Sequence, residues 1–288
     1  MNFKLLTATA LATLALTAVS ASAYTSFLAA REPWPTQGGV VVDGASTQTF
    51  YQPGVALPGA LQIATPNGSP GLINNTEVAA DVTHVGIALD AQGTYRISTG
   101  EVLGQLIPIW DFGNNTAGDP VVRPRHDGDA TPDGAAAATY QSVQSATTFV
   151  TYGSPTRTVV DANSDHLVIH PITDPNQVVA SSGIQFEILF NGAALPNYSA
   201  VLYTTGDADA NVAHFINTDA TGKGVFTFTQ PGRYTIAVRK LVRAPAGGQA
   251  TVQMFTSTLT FEVMTAPHPN VTIQSAPPPP RPRRDWHP

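Results

Sequence analysis

His166 and His170 stand four residues apart, a spacing that on a helix brings two imidazoles to one side and builds a metal site. The residues between them, Leu167-Val-Ile169, favour a strand. On a strand two such Cα atoms lie roughly 13 Å apart, too far to share one ion. Either histidine could instead pair with His214 from another strand, or both could be surface histidines at a sheet edge. Asp207, Asp209 and Asn211 alternate in Gly206-Asp-Ala-Asp-Ala-Asn211, like the first three ligands of an oxygen-rich calcium loop. Val212 then stands where that loop needs Gly, and Thr218 where it needs a bidentate Glu. Asp127, Asp129 and Asp133 form a second acidic loop, for which solvation alone is a sufficient account. The candidate metal ligands are therefore His166, His170, His214, Asp207 and Asp209, and the candidate ion is a divalent metal such as zinc or calcium.

Composition removes whole classes of chemistry. The 288 residues contain no Cys, so disulfides, thiolate nucleophiles, Cys-ligated zinc and iron–sulfur clusters are excluded. No Gly-x-Ser-x-Gly elbow, His-Glu-x-x-His helix or phosphate-cradling Gly loop occurs, and no catalytic residue or organic cofactor is assigned. A hydrolase with scattered carboxylates is the one enzymatic alternative. The formal net charge is −6, and it becomes one unit more negative without Lys4, which argues against general nucleic-acid binding.

Lys4, the uncharged run from Leu5 to Val19 and Ala21-Ser22-Ala23 form a secretory signal pattern, with cleavage expected after Ala23. That run is shorter than the roughly 20 apolar residues needed to span a bilayer, and no later stretch qualifies. The expected product is a periplasmic or secreted protein with no transmembrane segment after signal removal. At the other end, residues 266–288 are Pro-rich and expected to be a disordered tail. In it Arg281, Arg283, Arg284 and Trp286 combine positive charge with an interfacial aromatic, as a docking peptide for anionic headgroups or a partner groove would.

The elements that must position these residues are strands. With 24 Gly, 24 Pro and only 12% charged residues, the chain reads as short alternating runs closed by turns. Val85, Ile87 and Leu89 alternate, as do Tyr95 and Ile97, then Phe186, Ile188 and Phe190, then Tyr234, Ile236 and Val238. Ile87, Leu89, Gly93, Tyr95, Ile97 and Phe226, Phe228, Gly232, Tyr234, Ile236 share one spacing, which suggests two hairpins of the same register. A Tyr at such a corner packs its ring inward and caps backbone with its hydroxyl. The expectation is an all-β protein of two immunoglobulin-like or transthyretin-like β-sandwich domains, residues 24–105 and 145–265. Residues 106–144 are expected to be a linker or long loop, with a short helix around Ala135 to Val143.

Several runs together carry a resemblance: Thr147-Thr-Phe-Val-Thr-Tyr-Gly-Ser-Pro-Thr156, His166-Leu-Val-Ile-His-Pro-Ile-Thr-Asp-Pro175, Phe186-Glu-Ile-Leu-Phe-Asn-Gly-Ala-Ala-Leu-Pro196 and Thr218-Asp-Ala-Thr-Gly-Lys-Gly-Val-Phe226. With Ala60-Leu-Gln-Ile-Ala-Thr-Pro-Asn-Gly68 upstream, the chain resembles the bacterial periplasmic family built on domain of unknown function 4198. The resemblance implies a non-enzymatic β-sandwich protein, an accessory to an envelope uptake system for nickel, cobalt or a small solute. The alternative is a structural or protein-interaction module of the envelope that uses the tail. Relatives commonly open the mature chain with a His shortly before a Trp; here Leu28-Ala-Ala-Arg-Glu-Pro-Trp34 has none.

Overall fold

The computed structural model describes residues 24–52, 54–57, 61–162, 165–211 and 214–269, which are nearly all β. The expected signal segment lies outside these residues. A five-stranded sheet holds β1 (Thr25–Ala30), β2 (Gly39–Thr47), β3 (Val55–Ala56), β5 (Ile73–Val78) and β6 (Thr83–Ala88). A nine-stranded sheet holds β4 (Gln62–Ala64), β7 (Gly93–Ser98), β8 (Val102–Asn114), β9 (Pro120–Pro124), β10 (Ala136–Tyr152), β14 (Ser199–Thr204), β15 (His214–Asn217), β17 (Gly232–Arg243) and β18 (Val252–Val263). A four-stranded sheet holds β11 (Leu167–Pro171), β12 (Ile184–Phe190), β13 (Ala193–Ala194) and β16 (Lys223–Phe226), and one helical turn, α1, covers Thr158–Asp161.

Period-two patterning explains how these sheets stack. On β10, Val143 and Phe149 enter one core while Ala146 and Val150 enter another, so the strand is buried on both faces. The first core joins these residues to Phe186 and Ile188 of the four-stranded sheet; the second joins them to Leu28, Val42 and Ile87 of the five-stranded sheet. The molecule is thus two β-sandwiches built on opposite faces of one shared sheet. Each fully buried Ile or Leu in these layers contributes roughly 1.5–3 kcal/mol.

The seam of the shared sheet is polar and satisfied. Thr148 Oγ1 donates to Thr260 O at 3.0 Å, Thr235 and Thr260 hydroxyls meet at 2.9 Å, and Thr258 Oγ1 donates to Ser26 O at 2.7 Å. Threonine suits this place because its branched side chain fits a pleated surface and its hydroxyl finds partners without water.

Three expectations are corrected. Residues 106–144 are not a linker: they hold most of β8, all of β9 and the first half of β10, and the stretch expected as a short helix is strand. The alternation of Ile107, Ile109, Val122 and Tyr140 was masked by intervening Gly, Asn and Pro and by a register shift between Gln141 and Val143. No break in the sheet falls at 145, because β10 pairs with β8 and β7 on one side and runs parallel to β18 on the other. The two echoed motifs are also not hairpins. β6 and β7 lie in different sheets, as do β16 and β17, so each motif is a corner at which the chain changes layer. Its glycine, Gly93 at φ +137° or Gly232 at φ +145°, takes a backbone conformation that L side chains avoid. The tyrosine hydroxyl then pins the corner, Tyr95 donating to Ala91 O at 2.8 Å and Tyr234 to Gln230 O at 3.1 Å.

Candidate binding cleft

The structure does not bring the predicted metal ligands together. His166 precedes β11 and holds Glu101, Nδ1 to Oε2 at 2.7 Å, while its backbone N–H donates to Glu101 Oε1. His170 on β11 meets Asp161 through Nε2 at 3.0 Å and faces Glu187 at 3.8 Å. His214 belongs to the edge strand β15 of another sheet and is exposed. Asp207 turns back to accept the Thr204 N–H at 2.7 Å. Asp209 is almost fully buried and paired with Arg239, Oδ1 to Nη2 at 2.5 Å, and it accepts from Thr25 Oγ1 at 2.9 Å. Strand geometry separates the two histidines, an ion pair occupies Asp209, and a backbone N–H engages Asp207. Among the described residues no group of three His, Asp or Glu is placed to hold a metal ion. The tail residues Arg281, Arg283, Arg284 and Trp286 lie outside the described residues.

Several of these pairs set charge states. The hydrogen bond from Arg157, helped by His170, holds the Asp161 carboxyl below its ordinary value despite some burial. Burial opposes ionisation of Asp43, but hydrogen bonds from Arg31 (2.9 Å) and His84 (2.7 Å) outweigh it and lower that carboxyl too. Asp165 goes the other way, raised by burial and by the nearby charge of Glu101.

A cleft of about 260 Å³ opens where the segment after β1 meets the segment after β18, lined by Arg31, Glu32, Trp34, Asn176, Glu262, Met264 and His268. Its wall is a stack of Trp34 on His268, with ring centroids 4.2 Å apart and planes within 8°. Both rings are held. Trp34 Nε1–H donates to Gly153 O at 3.1 Å, and the backbone beside it is fixed by Thr151 N–H donating to Pro33 O. His268 is clamped by Gln177, which accepts its N–H at 3.0 Å and donates to its carbonyl at 3.1 Å. The start of the Pro-rich segment is therefore anchored, contrary to a tail that is loose from residue 266. With Nδ1 2.9 Å from Pro269 O, the imidazole has Nε2 as its remaining ring nitrogen. A second void, of only about 20 Å³ near Arg96 and Asp165, has room for about one water.

Sequence reasoning found Trp34 and noted that no histidine precedes it. It missed His268, which lies 234 positions away and reaches Trp34 only because the strand β18 carries residues 264–268 past Val178 and Ala180. No local signal could have joined them.

Residues 21–240 match the model of a domain of unknown function, DUF4198. The chain belongs to that family. The DUF4198 match takes in Arg31, Glu32 and Trp34, while Glu262, Met264 and His268 come from beyond it, so the cleft straddles the end of the matched region. No curated protein matches the sequence. Among solved structures this DUF4198 chain is similar to the D0-D1 domain of intimin, with 11% identity over 81% of this chain and 96% of that one and a TM-score of 0.20. It is also similar to the Yersinia pseudotuberculosis adhesin InvE, with 16% identity over 82% of this chain and 58% of that one and a TM-score of 0.21.

Proposed function

We propose that this DUF4198 protein is a non-enzymatic binding module of the bacterial cell envelope, and that it holds a small solute or a metal ion in the cleft at Trp34 and His268. The observation that carries this reading is the rigid Trp34–His268 stack beside groups of both charges in a cleft of about 260 Å³. That size sits near the lower end of the roughly 300–1,000 Å³ of small-molecule sites. The aromatic wall offers a flat apolar contact, Glu32 and Glu262 offer carboxylates, Met264 offers a soft thioether, and the His268 Nε2 offers an imidazole nitrogen to a metal. Export to the envelope is supported by the N-terminal sequence pattern. No helix among the described residues is long and apolar enough to cross a membrane.

The test is titration of the chelator-stripped mature protein with nickel, cobalt, zinc and calcium, followed by a panel of small polar solutes, with tryptophan fluorescence and calorimetry as readouts. Saturable binding that His268→Ala removes and a His166→Ala/His170→Ala variant retains is the expected result. Binding that survives His268→Ala, or silence with every ligand, would retire the cleft. A second reading, a protein-interaction module, is favoured by β5, every residue of which is exposed along the free edge of its sheet, with Leu72 and Val78 more than 60% accessible beside and within it. Such an edge can add a partner's strand.

A further inference from the structure

The hairpin of β8 and β9 carries an arginine–aromatic ladder that is separate from the cleft. Arg123 lies over Phe112 with 5.1 Å from guanidinium carbon to ring centroid, and Arg125 lies over Trp110 at 5.0 Å. The register sets Trp110 opposite Arg123, so aromatic and cation alternate along one face of the hairpin. The other face holds the Asp111–Arg243 pair. Every other described arginine is committed. Arg31, Arg157, Arg239 and Arg243 each hold a carboxylate, and Arg96 and Arg233 each donate to a backbone carbonyl. The guanidiniums of Arg123 and Arg125 have no hydrogen-bond or ion-pair partner among the described residues, and both residues are exposed.

Exposed to water, two neighbouring guanidiniums without a carboxylate partner are free to take an outside anion. Stacking fixes each guanidinium against its ring while its N–H edge stays free for bidentate bonding to an oxyanion. Two residues apart on extended chain, the two arginines have Cα atoms roughly 6.6 Å from each other. Both arginines are exposed, over a Trp110 that is itself buried, and line neither the cleft nor the small void. The unbroken register from Leu106 to Trp110 adds Leu106, 42% accessible, to the same face. An apolar side chain, a half-buried Phe112 and two free guanidiniums match the boundary where phosphate headgroups meet acyl chains. The geometry points to this ladder as a docking site for the anionic phospholipid headgroups of a membrane surface, with Arg123 and Arg125 each taking a phosphate.

The test is co-sedimentation of the full mature chain with vesicles of phosphatidylglycerol and phosphatidylcholine, against vesicles of phosphatidylcholine alone. Arg123→Gln/Arg125→Gln is expected to weaken partitioning onto the anionic vesicles by about 30-fold, and each single change by about 5-fold. Lys223→Gln, which removes one exposed cation from β16, serves as the matched control for net charge and is expected to leave partitioning within about 2-fold. The tail arginines are present in every variant and cancel from the comparison. Unchanged thermal unfolding of the glutamine variants would show that the loss is not one of folding. The inference is overturned if the parent does not prefer anionic vesicles, if the double variant binds like the parent, or if Lys223→Gln costs as much as Arg123→Gln. It is equally overturned if inorganic phosphate alone saturates the ladder while vesicles do not bind, which would make the ligand a soluble phosphate. Retention by an acidic protein surface without vesicle binding would assign the ladder to a protein partner and overturn it as well.

Discussion

The two layer-changing corners share one sequence spacing and differ in what surrounds them. At the first, Tyr95 is fully buried in the core between the five- and nine-stranded sheets, and its hydroxyl both donates to Ala91 O and accepts from Ala91 N at 2.9 Å. At the second, Tyr234 is partly exposed, makes the single bond to Gln230 O, and rests its ring on Phe228 and Phe261. The shared pattern dictates the local path of the chain: a glycine with positive φ, then a tyrosine reaching back four residues. The surrounding layers decide how much free energy hangs on that path. The first corner is enclosed by Pro66 and Thr156 as well, whereas the second faces open space.

The largest separation is expected from removing the rings. Tyr95→Ala should cost about 3–5 kcal/mol and Tyr234→Ala about half as much, measured by urea unfolding. Equal losses would show that partial exposure does not weaken the second corner. Glycine substitutions come next. Gly232→Ala meets nothing within 4 Å and bears only the backbone term, about 1–3 kcal/mol, whereas a Cβ at Gly93 would stand 2.5 Å from Pro66 Cβ. Gly93→Ala should therefore lower Tm clearly further than Gly232→Ala, and a reversed order would break the comparison. The smallest effect is in acid. The lowered carboxyls of Asp43, Asp111 and Asp161 bind protons less readily folded than unfolded, so the unfolded chain takes up protons first. Their contribution is complete above the ordinary carboxylate pKa of about 4 and is lost as pH falls through their lower folded values. Asp165 has the opposite sign: its raised carboxyl is a liability at neutral pH. Asp165→Asn should give a small gain in Tm at pH 7 that vanishes on acidification, and a constant gain would mean that charge is not its cause.

Much of the strand inventory was legible, because residues such as Ile188 on β12 and Ile236 on β17 alternate with residues of the opposite face. Layering was not, since it depends on which faces meet across the whole chain. β10 shows why: it is covered on both sides, so Val143 and Phe149 on one face and Ala146 and Val150 on the other leave no simple alternation to read. The corners were visible as a spacing but not as crossings between sheets. For the candidate sites, the strand reading of Leu167 to Ile169 was legible, and the structure has His166 just before β11 and His170 on it. Neither the capture of Asp209 by Arg239 nor the meeting of Trp34 with His268 has a local trace, and the guanidinium ladder needed the register of β8 against β9.

The parallel pairing of β10 with β18 has a consequence for the order of assembly. β1, the first strand of the described residues, rests on both of them, and Thr258 bonds to Ser26 across 232 positions. Residues 252–263 leave the ribosome after every strand from β1 to β17, so the seat of β1 stays unfinished until β18 has emerged. Contacts of such long sequence separation form slowly, because the loop must close before any of them is made. The first strand can therefore take its native seat only once β18 is there to receive it.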